Sequence, residues 1–225
     1  MREIYITDNI RNGVLFFEGG FGGDAIQEKN SPRWGMTLRA AGSMRFRWNE
    51  TNPNRNSVFE KILESRPTVE KAISENKASG GTTRINHAVV PVQLDHTKIV
   101  YDVKNENDTS GKIGDGIITR NKNIVPTVTV ADCMPLFLFD PVTEVFGIVH
   151  SGWKGTGIVA EAINLAEKNY GARAENFRVV LGPHINDCCY IVDENRAKYF
   201  SENFTSECVR KISDREKLPP FAWNN

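Results

Sequence analysis

The stretch that decides the fold is Leu136-Phe137-Leu138-Phe139-Asp140-Pro141-Val142-Thr143-Glu144-Val145-Phe146-Gly147-Ile148-Val149. It contains two apolar runs, 136–139 and 145–149, and the segment 140–144 between them carries a proline and several polar residues. Two short apolar runs separated in this way predict a β-hairpin whose loop is 140–144.

The predicted hairpin brings two reactive side chains together. If Phe139 pairs with Val145, the register places Cys133 opposite Ser151, the neighbour of His150. Directly opposed residues of antiparallel strands have Cβ atoms about 4.5–5.5 Å apart. We therefore expect Cys133 and His150 to be neighbours, to within one register step, at the open end of the hairpin.

The segment that follows the hairpin changes its period. Residues 156–170 predict a helix that ends at Gly171, because apolar residues recur at steps of three and four. The predicted apolar stripe consists of Val159, Ile163, Ala166 and Tyr170.

The rest of the chain gives weaker signals. Asn12-Gly13 predicts a tight turn between strands 4–10 and 14–18, and the polar segment 104–116 is expected to be an exposed loop. The other predicted elements are strands at 88–94, 98–103, 127–130 and 177–181 and helices at 58–65, 69–75 and 193–200. Strands mixed with helices, and a hairpin among them, predict a mixed sheet.

Composition excludes several classes of protein. The 225 residues hold 28 Lys and Arg against 28 Asp and Glu, a formal net charge of zero that argues against domain-wide binding of nucleic acid or anionic lipid. No apolar run approaches the ~20 residues of a membrane helix, and the first residues lack a signal-peptide core. With four cysteines, we expect a cytoplasmic protein without a disulfide framework. The oligomeric state stays open.

A cysteine beside a histidine supports two kinds of chemistry. His150 can act as a general base for a Cys133 nucleophile, or both can bind zinc or copper. A catalytic zinc usually has three protein ligands, and His96 is the best candidate for the third, followed by His87 and then His184. A third interpretation is structural, with a buried thiol and a hydrogen-bonded histidine.

Two further features lie near the predicted helices. The segment 151–157 opens the helix after the hairpin, so its glycines and Lys154 suit an anion, although the spacing alone favours a plain strand-to-helix turn. Cys188 and Cys189 are adjacent, which disfavours a mutual disulfide, and we expect them to be buried structural thiols.

Three ordered motifs carry a resemblance to a known family. They are Thr129-Val130-Ala131-Asp132-Cys133-Met134-Pro135-Leu136, Val149-His150-Ser151-Gly152-Trp153-Lys154-Gly155-Thr156 and Gly182-Pro183-His184-Ile185-Asn186-Asp187-Cys188-Cys189-Tyr190. The first two resemble T-A-D-C-x-P-L and V-H-A-G-W-R-G-T, and the third resembles G-P-x-I-x-x-C-C-Y. These signatures are those of the laccase-domain family, named after multicopper polyphenol oxidases and described as zinc-dependent purine nucleoside phosphorylases.

The resemblance implies a fold and a site. The fold is α+β, a four-layer αββα sandwich with mixed sheets like the catalytic domain of cytotoxic necrotizing factor toxins, and it implies one domain over residues 1–225. The implied metal ligands are His96, Cys133 and His150, with zinc as the metal and copper as the alternative. The implied binding residues for purine nucleoside and phosphate are Gly152, Trp153, Lys154 and Gly155.

The implied reaction is phosphorolysis of adenosine, inosine, guanosine or methylthioadenosine, with adenosine deamination as a further activity. We add Asp132 as a catalytic candidate beside Cys133 and His150, orienting a ligand or moving a proton to the departing purine. Lys154 replaces the family's arginine, so a bidentate phosphate contact becomes a point charge. Relatives usually continue into a Cys-Thr and F-x-S-x-R-R-like segment, so this chain is expected either to be truncated at its C-terminus or to lack that segment.

Three alternatives stay open. A metal-free cysteine hydrolase or deamidase would use Cys133 as nucleophile and His150 as base. A copper-dependent phenol oxidase is less favoured, because a multicopper centre needs many histidines and the chain has four. A non-enzymatic binding protein is the third alternative.

Overall fold

The computed structural model describes residues 7–11, 14–21, 31–64 and 87–211. The chain divides into two compact units, Met1–Pro183 and His184–Asn225. The helix predicted at 69–75 lies outside the described residues. In the first unit the strands are β1 Thr7–Arg11, β2 Val14–Gly19, β3 Trp34–Thr37, β4 Ala88–Pro91, β5 Val100–Asp102, β6 Gly116–Thr119, β7 Ile124–Thr127, β8 Met134–Asp140, β9 Val145–Ser151 and β10 Arg178–Leu181.

The central feature of the first unit is a five-stranded mixed sheet in the order β10-β8-β9-β6-β5. The pairs β10–β8, β8–β9 and β9–β6 are antiparallel, whereas β5 runs parallel to β6. A three-stranded sheet has the order β1-β2-β3, and β4 and β7 form a parallel pair. The predicted mixed sheets are therefore confirmed.

Both faces of the central sheet are covered by apolar side chains. Leu136 and Leu138 join the cluster on one face, and the alternate residues Phe137 and Phe139 join the cluster on the other. This alternation follows from the two-residue period of a strand. A strand buried on both faces is apolar at every position, which explains the continuous run that marks β8 in the sequence.

Helix α1, Pro53–Glu64, begins five residues before the predicted start at residue 58. Asn52 Oδ1 accepts a hydrogen bond from the backbone nitrogen of Arg55 at 3.1 Å, which is the bond of an N-terminal cap. Pro53 then occupies the first helical position, where its missing N–H costs no hydrogen bond. The prediction overlooked this Asn-Pro start signal.

Helix α2, Ile158–Tyr170, covers one face of the central sheet. The predicted end at Gly171 is confirmed, because Gly171 adopts a left-handed conformation (φ 66°) and its N–H donates to Glu167 O. The residues of the predicted stripe do pack against the sheet. The fully buried residues of the helix, however, are Ile158, Ala162 and Ala166. Alanines occupy this centre because small side chains let a helix approach a sheet closely.

The hairpin β8–β9 is confirmed, but its predicted register is one residue off. Phe139 pairs with Phe146, and Pro135 pairs with His150. The reason is Asp140, which belongs to the strand and pairs with Val145 instead of starting the loop. Its buried carboxylate accepts hydrogen bonds from the Val142 N–H at 2.9 Å and the Thr143 hydroxyl at 2.6 Å. These bonds stabilise a four-residue loop.

Two other predictions are corrected. The segment 104–116 is not wholly an exposed loop, because Thr109 and Asp115 are completely buried and Gly116 begins β6. The strand predicted at 127–130 lies earlier, at Ile124–Thr127, where it pairs with β4. Both errors arise because long-range contacts decide the structure of these segments. The Asn12-Gly13 hairpin is confirmed, since Arg11 pairs with Val14.

In the second unit, helix α3, Glu194–Asn203, is capped by Asp193, whose carboxylate accepts from Arg196 N at 2.8 Å. Cys188 is exposed and Cys189 is half-buried, so the expectation of buried structural thiols is wrong. Both lie in a turn at 187–189, which presents them to solvent. Among the described residues, no helix is long and apolar enough to span a membrane. The α+β class is confirmed, and a single domain over 1–225 stays a prediction.

Candidate metal centre

Three potential metal ligands meet at one end of the central sheet. His96 lies in the connection from β4 to β5, Cys133 immediately precedes β8, and His150 lies near the end of β9. Their ligand atoms all lie within 4.8 Å of one another. In residues 7–11, 14–21, 31–64 and 87–211 no other group of three such side chains is this compact. We call this group the His–Cys–His cluster.

The cluster is supported by Asp115, a fully buried carboxylate at the start of β6. His150 Nδ1 donates to Asp115 Oδ1 at 2.7 Å. The other carboxylate oxygen accepts from the backbone nitrogen and the hydroxyl of Thr97, both at 2.6 Å. Asp115 thus orients one histidine of the cluster directly, and it fixes the turn that carries His96.

The hydrogen bond to Asp115 decides which nitrogen of His150 is available. Because Nδ1 is used, the remaining nitrogen, Nε2, is the one that can serve as a ligand atom. A carboxylate behind a ligating histidine is the usual arrangement in metal sites, where it fixes the ring orientation and the tautomer.

The charge states follow from these contacts. Burial lowers the pKa of His150, but the hydrogen bonds with Asp115 and Cys133 outweigh it and raise that pKa to about 9. Burial and the nearby charge of His150 lower the pKa of His96. Burial alone would raise the pKa of Asp115, yet hydrogen bonds from His150 and Thr97 hold it below its ordinary value. At neutral pH the metal-free site therefore contains a buried Asp115–His150 ion pair and a neutral His96.

His96 occupies an unusual backbone position. Its φ is 52°, in the left-handed region that non-glycine residues seldom adopt. The backbone nitrogen of His96 donates to Asp115 Oδ1 at 3.2 Å, which helps to hold this conformation. The imidazole rings of His96 and His150 then lie 5.2 Å apart between centroids. Backbone strain held in place by a second element is typical of functional sites.

Gly152 leaves the space that the two imidazoles occupy. A Cβ atom at this position would lie 2.3 Å from His96 Nδ1 and 2.9 Å from His150 Cε1, distances that real side chains do not reach. The same loop approaches the His96 turn again at Gly155, where a Cβ would lie 2.8 Å from Thr97 O. The glycines of the segment 151–157 thus permit close packing around the cluster, as a tight strand-to-helix turn requires.

The donor set suits zinc. One sulfur and two imidazole nitrogens are typical zinc ligands, and three protein ligands leave a fourth position for water or substrate. Tetrahedral zinc bonds of roughly 2.0–2.3 Å place ligand atoms about 3.3–3.7 Å apart, inside the 4.8 Å that encloses this cluster. Copper accepts the same ligands. The residues present therefore fit a bound metal.

Among the other predicted site residues, Gly152 and Gly155 are buried and Trp153 is half-buried. Asp132 is exposed beside Cys133. Lys154 is also exposed, and its Nζ lies 4.8 Å from the centroid of the Trp153 ring. The compact group contains His96 and not His87, and His184 belongs to the second unit.

Asp115 is the functional residue that the sequence analysis missed. It lies 35 residues before His150 and inside the segment that was expected to be an exposed loop. One signal was available: Gly114-Asp115-Gly116 precedes the apolar pair Ile117-Ile118. An acidic residue between glycines at the start of a buried strand is a candidate for close contact with another backbone.

The chain is similar to a known protein family and to several curated proteins. A family model described as multi-copper polyphenol oxidoreductase laccase matches residues 33–220. Purine nucleoside phosphorylase LACC1 of Mus musculus is 35% identical over 121 residues, which cover 53% of this chain and 27% of that protein. Purine nucleoside phosphorylase YlmD of Bacillus subtilis is 40% identical over 91 residues, covering 40% and 33%. The chain thus spans between a quarter and a third of these two relatives.

Solved structures share the fold. YlmD from Geobacillus stearothermophilus superposes with a TM-score of 0.56 at 18% identity, covering 85% of this chain and 66% of that chain. The protein YfiH from Bacillus licheniformis gives a TM-score of 0.52 at 24% identity, covering 86% and 66%. Since the family model spans most of the sequence, the chain belongs to the multi-copper polyphenol oxidoreductase laccase family.

Proposed function

We propose that this protein is a metal-dependent purine nucleoside phosphorylase whose metal, zinc, is bound by the His–Cys–His cluster. The observation that carries the proposal is the convergence of three ligand atoms within 4.8 Å, with a buried carboxylate behind one of them. The names of the relatives, which are purine nucleoside phosphorylases, supply the reaction class. When bound, zinc supplies an open coordination position that polarises water or a substrate group.

The residues of this chain have separate tasks in the proposal. Asp115 keeps His150 in one orientation and keeps the His96 turn in place, so the ligands are arranged before the metal binds. Gly152 and Gly155 allow the loop to pass close to that arrangement. Because the loop leads into the N-terminus of α2, its N–H groups favour an anion, and Lys154 adds a mobile positive charge beside Trp153.

In this proposal the phosphate lies at the loop of Gly152, Trp153, Lys154 and Gly155, and it attacks the anomeric carbon of the nucleoside. Asp132 is exposed next to Cys133, a position from which a carboxyl group can hold a proton for the departing purine. The proposed substrates are adenosine, inosine, guanosine and methylthioadenosine, with adenosine deamination as a second reaction at the same centre.

One observation favours a second candidate function. Asp115, His150 and Cys133 are linked by hydrogen bonds in that order, as in the acid–base–nucleophile arrangement of cysteine hydrolases. His96 argues against this alternative, because a hydrolase of this type has no use for a second imidazole within 4.8 Å of the nucleophile.

The test of the proposed function is a product assay. Metal-loaded protein incubated with inosine and phosphate is expected to release hypoxanthine and ribose 1-phosphate, and release is expected to require phosphate. The assay should include a version extended by any native C-terminal segment, since the relatives are longer than this chain. If the extended protein releases no purine from any of the four nucleosides, the phosphorylase proposal fails. Rapid labelling of Cys133 by iodoacetamide would then favour the hydrolase.

A further inference from the structure

The second unit carries a pair of reactive groups that the proposed function does not use. Cys188 and Cys189 are adjacent, and their Sγ atoms lie 3.3 Å apart. We call them the dithiol pair. Cys208, the other cysteine described in this unit, is exposed, and its thiol donates to Thr205 O at 2.8 Å.

The close approach of the two sulfurs is a product of the turn and not of adjacency alone. In an extended segment, successive side chains point to opposite sides of the chain. Here the backbone carbonyl of Asn186 accepts from the N–H groups of both Cys189 and Tyr190 at 3.0 Å, which bends the chain at the pair. Both thiols are consequently on one side of the turn, within hydrogen-bond distance of each other.

The two thiols differ in accessibility. Cys188 is exposed and can meet a reagent in solution, whereas Cys189 is half-buried. The hydrogen bond with Cys188 raises the pKa of the Cys189 thiol, so Cys189 keeps its proton. The pair thus has the features of an attacking cysteine with a resolving partner, since reaction requires an accessible thiolate followed by a neighbouring thiol.

We propose that the dithiol pair is a thiol–disulfide exchange site that reacts with low-molecular-weight disulfides of the glutathione type. The Cys188 thiolate attacks one sulfur of the disulfide, forming a mixed disulfide and releasing one glutathione thiolate. Cys189 then loses its proton to solvent and attacks the Cys188 sulfur, and the bond to the second glutathione breaks. The protein dithiol is oxidised by two electrons, and one glutathione disulfide is reduced to two thiols.

The closed form is expected to be easily reduced. Adjacent Cα atoms are about 3.8 Å apart across a trans peptide bond. Unstrained disulfides separate their Cα atoms by about 4.4–6.8 Å, so a bond within the pair stores strain. Strained, exposed disulfides are the labile ones. The disulfide between Cys188 and Cys189 should therefore be reduced again when free thiol is added.

The test is intact mass spectrometry and peptide mapping of the full chain after incubation with glutathione disulfide. With glutathione disulfide in large excess over free thiol, the wild type is expected to lose the mass of two hydrogens at the peptide holding 188 and 189 and to retain little glutathione there. The Cys189→Ser variant is expected to retain one glutathione on Cys188, at a level at least about tenfold above the wild type, because the resolving thiol is gone. Excess reduced glutathione should restore both thiols.

Cys208→Ser is the matched control, since it removes an exposed cysteine outside the pair whose thiol donates to Thr205 O. At residues 188 and 189 this variant is expected to show the same loss of mass and the same retained glutathione as the wild type. The proposal is overturned if wild type and Cys189→Ser retain glutathione on Cys188 equally, or if Cys188 stays unmodified in both. Circular dichroism of each variant should match that of the wild type, so that either outcome reports on the pair itself.

Discussion

His150 and Asp115 form a buried pair in which Nδ1 of the imidazole lies 2.7 Å from Oδ1 of the carboxylate, and the two side chains are 4% and 0% exposed. The pair joins β9 to the start of β6, which are neighbours in the central sheet. The same carboxylate holds the turn of His96 through Thr97. Asp115 therefore controls the positions of two members of the His–Cys–His cluster from a single place in the fold.

The first prediction concerns Asp115→Asn. The amide retains an oxygen acceptor but loses the charge that orients His150, so zinc affinity is expected to fall about 10–100-fold, the usual effect of removing such a supporting group. The measurement is competition against a chromophoric chelator. Asp140→Asn is the matched control, since Asp140 is equally buried and accepts two local hydrogen bonds at the far end of the hairpin. Equal losses of affinity in both variants would contradict the role of Asp115.

The second prediction concerns Gly152→Ala. The added Cβ would overlap His96 Nδ1 at 2.3 Å, so one of the imidazoles must move and stoichiometric metal binding should be lost. Overpacking is also expected to lower the free energy of unfolding by about 1–3 kcal/mol. Gly111→Ala is the control, because Gly111 has a positive φ but no atom within 4 Å of its Cβ position. Retention of a full metal complement by Gly152→Ala would show that the loop does not constrain the cluster.

Much of the site could be predicted from the sequence because it depends on a local hairpin. Cys133 and His150 lie at the ends of two apolar runs joined by a short loop, and an error of one residue in the register still left them neighbours. Asp115 could not be predicted in the same way. Its partners come from β9 and from the β4–β5 connection, and the sequence between these elements carries no period that relates them.

In the fold as well, features set by neighbouring residues could be predicted from the sequence, whereas features set by distant residues could not. The end of α2 at Gly171 was predictable because the helical stripe stops at a residue suited to a left-handed conformation. The parallel pairing of β5 with β6, and of β4 with β7, was not predictable, because parallel neighbours are joined by long connections and not by a turn signal.

The third prediction is the pH dependence of metal binding. The pKa of His150 is raised to about 9 in the metal-free protein, so zinc must displace a proton from this imidazole at neutral pH. Below the pKa of His150 in the folded protein, the displacement of this one proton should raise the apparent affinity by about tenfold per pH unit. Above that pKa, His150 should contribute no further slope. Chelator competition between pH 7 and pH 10 measures this. In Asp115→Asn, the pH at which the slope of zinc affinity changes should be lower than in the wild type. A wild-type affinity that does not change from pH 7 to pH 9 would contradict the assignment of His150 as a ligand that must lose a proton.

The same raised pKa has a consequence for stability of the metal-free chain. The pKa of His150 is higher in the folded protein than in the unfolded chain, so protonated His150 stabilises the fold. This contribution to the free energy of unfolding is fully present below the unfolded pKa near 6.5 and is lost as the pH rises through about 9. The melting temperature of the metal-free wild type should consequently fall between pH 7 and pH 10. Asp115→Asn should reduce that fall, and an equal fall in both proteins would show that other groups cause it.

The fourth prediction concerns Lys154→Ala. If Lys154 supplies a charge to phosphate, its removal should raise the KM for phosphate by about tenfold, the value of a lost charged hydrogen bond. The melting temperature should change little, because Lys154 is exposed and its Nζ lies over the Trp153 ring. Lys112→Ala is the matched control, since Lys112 is also exposed and lies 5.1 Å from the Tyr101 ring. A changed melting temperature with an unchanged phosphate KM would assign Lys154 a structural role.

The most direct test of the central claim is the zinc content of the purified protein and of its cluster variants. The account predicts about one zinc per chain in the wild type, none in Cys133→Ala, a large loss in His96→Ala and a full complement in His87→Ala. In the zinc-bound wild type, Cys133 should resist iodoacetamide until a chelator removes the metal. A mildly purified wild type that holds no metal, takes up none, and reacts rapidly at Cys133 would contradict the claim.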